Sequence, residues 1–528
     1  MVNPTLFKTS KSSTPLTTNN AGAPAYALSD KEALANLVCT GMLGGTFYVS
    51  AEDQLKEITS RLARVEPDFL ARLAVYARKS GYMKDAPSVV LAYLATHHPA
   101  AFKKAAPSVL DNGRMVRNLV QILRSGQIGR IPECVRAYPR TSIPRCARAA
   151  VRDYFRNSSP TRLLNDSVGN TPSLADVIRM VHPKPDGAEQ EALFRFLLGK
   201  EVNNSSLPAV ARQLVAFRSG DSNEMPGVEH RLLDNGKLTT EQWSRISMTM
   251  GHAALRKNLN TLARHGVFES SVMTRQVAAK LADRDFILRS KVMPYELLTA
   301  FLNIGSDVPG IIREALQDAM EVATENVPLL KGNWVVMVDV SGSMSSPVSG
   351  TRTNPKTGRV EYHTAKTRYV DVASLVASAI LRKNPNTLIL PFDTRLHNTQ
   401  INPRDSIMTN SVKLASYLGG GTECHIPMRH LNTHNIKADG VIMISDNEAN
   451  RGFHDRYSTP LQGEWKKWSA ANPESPYIGI DVAGGVTSQV QDKKVFQVSG
   501  FSDSVFSLIG TLATQQGSWV SMIEKIDL

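Results

Sequence analysis

The sequence predicts two unlike parts in one chain: an α-solenoid of helix pairs, then a doubly wound α/β domain built on a parallel sheet. Three observations carry this. From Ser29 to Leu330 apolar residues recur at steps of three and four, with no convincing strand between them. After Lys331 the apolar runs become short and β-branched and alternate with helical segments. The first of those runs ends in Asp339-Val340-Ser341-Gly342-Ser343, where a carboxylate and two hydroxyls stand at alternate positions as a buried strand turns into a loop. At 528 residues the chain exceeds what one core supports, which agrees with two or more domains.

Residues 1–27 are rich in Ser, Thr, Asn, Ala and Pro, and a mobile or loosely docked arm is expected there. The helical part is expected over 28–330. Ser50-Ala51-Glu52-Asp53 opens one helix with a capping signal, and Leu55, Ile58 and Leu62 follow on one face. Helical spacing continues over 67–82, 86–96, 114–124, 144–156, 174–181, 190–198, 207–217, 251–265, 272–282 and 294–303, with Gly, Pro or Asn between segments. No fixed repeat period is visible. In the third region, 331–528, strands are expected at 333–338, 387–392, 440–445 and 477–482, with helices at 369–383 and 503–515. Ligands of such sheets collect at the C-terminal strand ends, and the Asp339 loop lies at one.

No stretch approaches the length of an apolar membrane span, and the polar N-terminus lacks a signal-peptide core, so a cytoplasmic protein without a membrane partner is expected. The four cysteines have no close metal-ligand spacing, which argues against a disulfide framework or a zinc ribbon. The net charge is +13. From residue 333 onward 19 basic face 17 acidic residues, a net of +2, leaving 42 and 31, a net of +11, for residues 1–332. The excess points to a polyanion partner for the helical part, with a solvated basic surface as the alternative.

Three segments are able to meet at the sheet edge: Asp339, Ser341 and Ser343; Gly419-Gly420-Gly421-Thr422; and the strand-end Asp446. Two carboxylates and three hydroxyls form an all-oxygen set suited to Mg²⁺, with a position left for water or a partner's oxygen. A DxSxS string alone is also what a turn with helix-capping hydroxyls looks like. The glycine-threonine loop and Asp446, in the correct order, add the metal reading. The set has fewer carboxylates than two-metal phosphoryl transfer expects, so no enzymatic centre is expected.

Between Asp111 and Arg162 eleven arginines (Arg114, Arg117, Arg124, Arg130, Arg136, Arg140, Arg145, Arg148, Arg152, Arg156 and Arg162) face only Asp111, Glu133 and Asp153. Arg145, Arg148, Arg152 and Arg156 share one helix face. Guanidinium groups suit phosphates and stack on unpaired bases, so nucleic acid is the favoured partner. A second basic stretch, 345–368, holds Arg352, Lys356, Arg359, Lys366 and Arg368 against Glu361 and reads as a hairpin beside the metal loop.

The metal constellation resembles the metal-ion-dependent adhesion site of von Willebrand factor A domains, with all five positions filled by Asp339, Ser341, Ser343, Thr422 and Asp446. The whole chain resembles the Ro ribonucleoproteins, a ring of HEAT-like helical repeats (the TROVE module) followed by such a domain. The resemblance rests on Gly44-Gly45-Thr46-Phe47-Tyr48, His182-Pro183-Lys184-Pro185, Ala254-Leu255-Arg256-Lys257-Asn258-Leu259, Pro294-Tyr295-Glu296-Leu297-Leu298, Gly420-Gly421-Thr422-Glu423-Cys424 and Asp446-Asn447-Glu448. It implies a monomeric ring that takes single-stranded 3′ ends of misfolded RNA in its hole and small Y RNAs on its outer surface. A tethered exoribonuclease, typically polynucleotide phosphorylase, is also implied. His182 matches a position that contacts Y RNA, with Lys184 beside it; a turn histidine capping a helix end is the alternative. The basic residues that precede it in animal members are absent from 165–170. Arg256 and Lys257 are candidates for the hole. A competing reading keeps only a metal-dependent protein-adhesion module, with the helices as a frame.

Overall fold

The computed structural model describes residues 16–39, 51–128, 142–169, 171–233, 238–348, 351–353, 360–362, 367–449, 458–500, 504–514 and 519–528. Helices fill the chain from Asp30–Cys39 to Gly310–Ala323, and they pair through buried Leu, Val and Ala. The helices at Leu174–Val181 and Pro294–Asn303 match the apolar periodicity residue for residue. The helix at Leu174–Val181 opens on a capping box of Ser173 and Asp176, the start signal that fixes its first residue. The expected 251–265 helix is instead two, His252–Lys257 and Leu259–Arg264. Asn258 breaks it, because its side-chain amide donates to the Ala254 carbonyl at 2.8 Å and competes with the helical ladder.

Ten strands occur among the described residues: β1 Leu16–Thr18, β2 Pro24–Ala27, β3 Trp334–Asp339, β4 Thr351–Thr353, β5 Val360–Tyr362, β6 Leu388–Phe392, β7 Gly440–Ser445, β8 Tyr477–Asp481, β9 Thr487–Ser488 and β10 Val495–Ser499. The central sheet has the order β10-β8-β7-β3-β6 and every pairing in it is parallel. Strands β3, β7 and β8 are buried on both faces, as a parallel sheet covered by helices requires. The edge strand β10 was not among the expected strands.

The N-terminal segment corrects one expectation. From Leu16 onward it is docked: β1 and β2 form an antiparallel pair, and β2 adds to β9 with Tyr26 opposite Ser488. Backbone ladders satisfy donors that a polar sequence alone leaves unassigned.

The helical array begins and ends on the α/β domain. At its start, helix Asp30–Cys39 packs on helix Trp519–Glu524 and on β10, with Lys31 Nζ 2.9 Å from Glu524 Oε1. At its end, helices Pro294–Asn303 and Gly310–Ala323 pack on Tyr369–Lys383 and Ile407–Ala415, and the Ile407 amide donates to Glu321 Oε1 at 2.7 Å. The two seams close the chain into a ring.

Candidate metal centre and nucleic-acid interface

Asp339 ends β3 and Asp446 follows β7, the strand paired with it, so two carboxylates from adjacent parallel strands face one edge. Asp339, Ser341, Thr422 and Asp446 are buried and Ser343 is half-buried. The Ser341 and Ser343 hydroxyls lie 3.2 Å apart. The Ser341 amide donates to Asp339 Oδ1 at 2.8 Å, and Ser445 Oγ donates to Oδ2 at 2.6 Å. Burial, and then the charge of Asp446, hold the Asp339 carboxyl well above its usual range. A dication between the two would relieve both effects. The donor set therefore fits a small hard cation held by these five residues.

The glycine-threonine loop is locked to the first segment. Gly342 N donates to the Gly420 carbonyl at 3.0 Å, and Gly419 N to that of Val340 at 2.8 Å. Gly420 has φ +72°, and a Cβ there would strike the Asp393 carboxylate. Only glycine therefore serves at that position. Asp393 was not singled out from sequence; it follows β6, and its Oδ2 lies 3.0 Å from His397 Nε2. Two further buried carboxylates lie nearby. Glu448 is pushed up to about 7 and Asp481 to about 8, each mainly by burial. The docked N-terminal hairpin holds Glu448: Asn20 Nδ2 and the Ala21 amide donate to it at 2.7 and 2.8 Å.

A second concentration of charge lies in the helical ring. Lys84, in the turn between helices Pro67–Lys79 and Ala86–His97, is exposed. Burial lowers its pKa, and the charges of Arg114, Lys257 and Arg78 lower it further. Arg114 and Arg231 act in the same direction on Arg117. Cations from four stretches of chain, 78–84, 114–117, Arg231 and Lys257, thus act on one another.

The Ro60 vWA domain family matches residues 333–513. RNA-binding protein RO60 of Deinococcus radiodurans is 25% identical over 524 residues, which cover 92% of each chain. The chain is similar to Ro proteins over nearly its whole length. The crystal structure of the Deinococcus radiodurans RO (RSR) protein shares this chain's fold at a TM-score of 0.64 with 19% identity, covering 92% of this chain and 99% of that one.

The other residues expected to bind RNA divide by surroundings. Arg145 and Arg156 are exposed on helix Arg145–Asn157, whose opposite face buries Ala147, Val151 and Phe155. Arg148 and Arg152 are half-buried, and Arg152 Nε donates to the Val181 carbonyl at 2.9 Å. That bond brings the arginine face beside His182, which is exposed and caps helix Leu174–Val181 at φ 50°. Lys184 and Arg124 are exposed. Arg117 lies over Gly169, which has φ +131° and no room for a side chain.

Arg256 requires a correction. Its side chain is only 4% exposed, ion-paired with the Glu296 carboxylate, and Nη1 donates to the Glu296 carbonyl at 2.7 Å. It ties two family-like segments together inside the wall, whereas the next residue, Lys257, is exposed. The imbalance of eleven arginines over three acids also shrinks in space. Arg114 meets Asp85 at 3.3 Å and Arg162 meets Asp166 at 3.6 Å, and neither acid belongs to the basic stretch. Arg130, Arg136, Arg140, the 44–48 motif and Lys356, Arg359 and Lys366 lie outside the described residues. Among the described residues no helix is long and apolar enough to cross a membrane.

Proposed function

We propose that this chain is a non-enzymatic RNA-binding scaffold that takes single-stranded 3′ ends of misfolded or maturing RNA in its ring and a Y-like small RNA on its outer surface. The observation that carries the reading is the convergence of Arg114, Lys257 and Arg78 on Lys84, whose pKa is lowered by burial first and by their like charges after it. Asp85 and Asp111, paired with Arg114 and Arg78, offset part of this charge, and a polyanion would offset the rest. Phosphates supply it without sequence preference. Arg145, Arg156, His182 and Lys184 form the outer contact in this reading, and an exoribonuclease of the polynucleotide phosphorylase type uses the assembly for RNA decay.

The Asp339 to Asp446 site would hold Mg²⁺ and offer a remaining coordination position to an acidic oxygen of a partner. That site also supports the competing reading, adhesion to a protein without essential RNA. Filter binding of a single-stranded RNA across a salt series tests the first reading: Lys257→Ala with Arg114→Ala should weaken binding and flatten its salt slope by about 1.5. Curves identical to wild type would sink it. Pull-downs with RNase or with EDTA separate RNA-borne from metal-borne partners.

A further inference from the structure

The turn that carries Lys84 contains one residue that neither the backbone nor the core asks for. Gly81 N donates to the Tyr76 carbonyl and Met83 N to that of Ala77 at 2.9 Å, so the chain leaves helix Pro67–Lys79 by a Schellman-like wrap. Such a wrap places one residue in the left-handed region, where glycine is the usual choice. Here it is Tyr82, at φ 54°, a position that a bulky side chain occupies only under strain. The ring is not compensated by burial, because Tyr82 is 55% exposed, the most exposed aromatic among the large exposed apolar residues described. Two residues on stands Lys84, with the Arg114 and Lys257 charges facing it from other elements.

An exposed aromatic held at a strained turn beside converging cations is the arrangement of a stacking platform over a phosphate track. We propose that Tyr82 stacks on an unpaired base of the RNA whose phosphates Lys84, Arg114 and Lys257 hold. This rests on the RNA-scaffold reading and adds that the ring selects strands with an exposed base face, so that paired RNA is refused by chemistry as well as by width. The partner class is single-stranded RNA of any sequence, since every base offers a π face.

The test uses the full chain, a short fluorescent oligoadenylate and an abasic ribose-phosphate chain of equal length. Tyr82→Gly should weaken oligoadenylate binding roughly tenfold, within the range of base–aromatic stacking, and leave abasic binding and the salt slope unchanged. Its Tm should not fall, because glycine relieves the turn. Tyr82→Trp should restore binding, and Tyr82→Leu, strained but not aromatic, should not. Oligoadenylate binding by Tyr82→Leu equal to wild type overturns the stacking role. So does an equal loss of abasic and oligoadenylate binding in Tyr82→Gly. In either case a continued effect of Lys257→Ala leaves the scaffold reading standing. Failure of wild type to bind either oligomer at low salt overturns that reading itself.

Discussion

Arg256 and Lys257 are neighbours in sequence with opposite fates, and burial separates them. Arg256 lies inside the wall against Glu296, while Lys257 faces out. Arg256→Ala should therefore cost about 3 kcal/mol by leaving Glu296 without its buried partner. Lys257→Ala should stay within about 0.5 kcal/mol of wild type. Urea denaturation of both variants checks this; equal stabilities would contradict the assignment. At the metal edge the two buried carboxylates repel each other. In chelator, Asp446→Asn should melt above wild type, because one like charge is gone. Wild type should gain about 2.7 kcal/mol from Mg²⁺ at a hundred times its Kd, and Asp446→Asn should gain little. Differential scanning calorimetry with and without Mg²⁺ reads both effects. The five candidate donors were legible in sequence because donors in a fixed order are a strong pattern. Asp393 was not, since its closeness to Gly420 exists only in the folded chain.

At the scale of elements, helix Arg145–Asn157 carries its arginines on one side and its apolar residues on the other. The sequence revealed that face but not its use. Arg152 reaches the Val181 carbonyl, and only Arg145 and Arg156 stand fully open. Arg145→Ala with Arg156→Ala should lower the salt slope for a structured small RNA by about 1.5 and leave the far-ultraviolet spectrum unchanged. An unaltered slope would remove this helix from the interface. Leu174–Val181 was readable from its apolar spacing, and the structure adds the capping box that fixes its start. The short strands β1, β2 and β9 were not, because each exists only through partners distant in sequence.

Over the whole molecule, the α/β domain is a clasp that receives both ends of the helical array. The C-terminal helix Trp519–Glu524 buries Trp519 and Ile523 against helices Asp30–Cys39 and Pro67–Lys79. Lys31 bonds Glu524, and Arg72 bonds the Ile526 carbonyl. Removing residues 519–528 should open this seam and leave the parallel sheet intact. Hydrogen exchange should then rise in 31–39 and 67–79 and stay unchanged in β3 and β7. Uniform loss of protection would show instead that the two parts unfold as one.

The sequence by itself determined the two fold classes, many helix positions and the strands β3, β6, β7 and β8, and it named five candidate oxygen donors, because periodicity, caps and ordered motifs are local. The tertiary structure decided which cations face one another, which arginines are spent on packing, where the N-terminal hairpin docks and how the ring closes. Those outcomes depend on burial and on distances between residues far apart in the chain, and a one-dimensional pattern does not contain them.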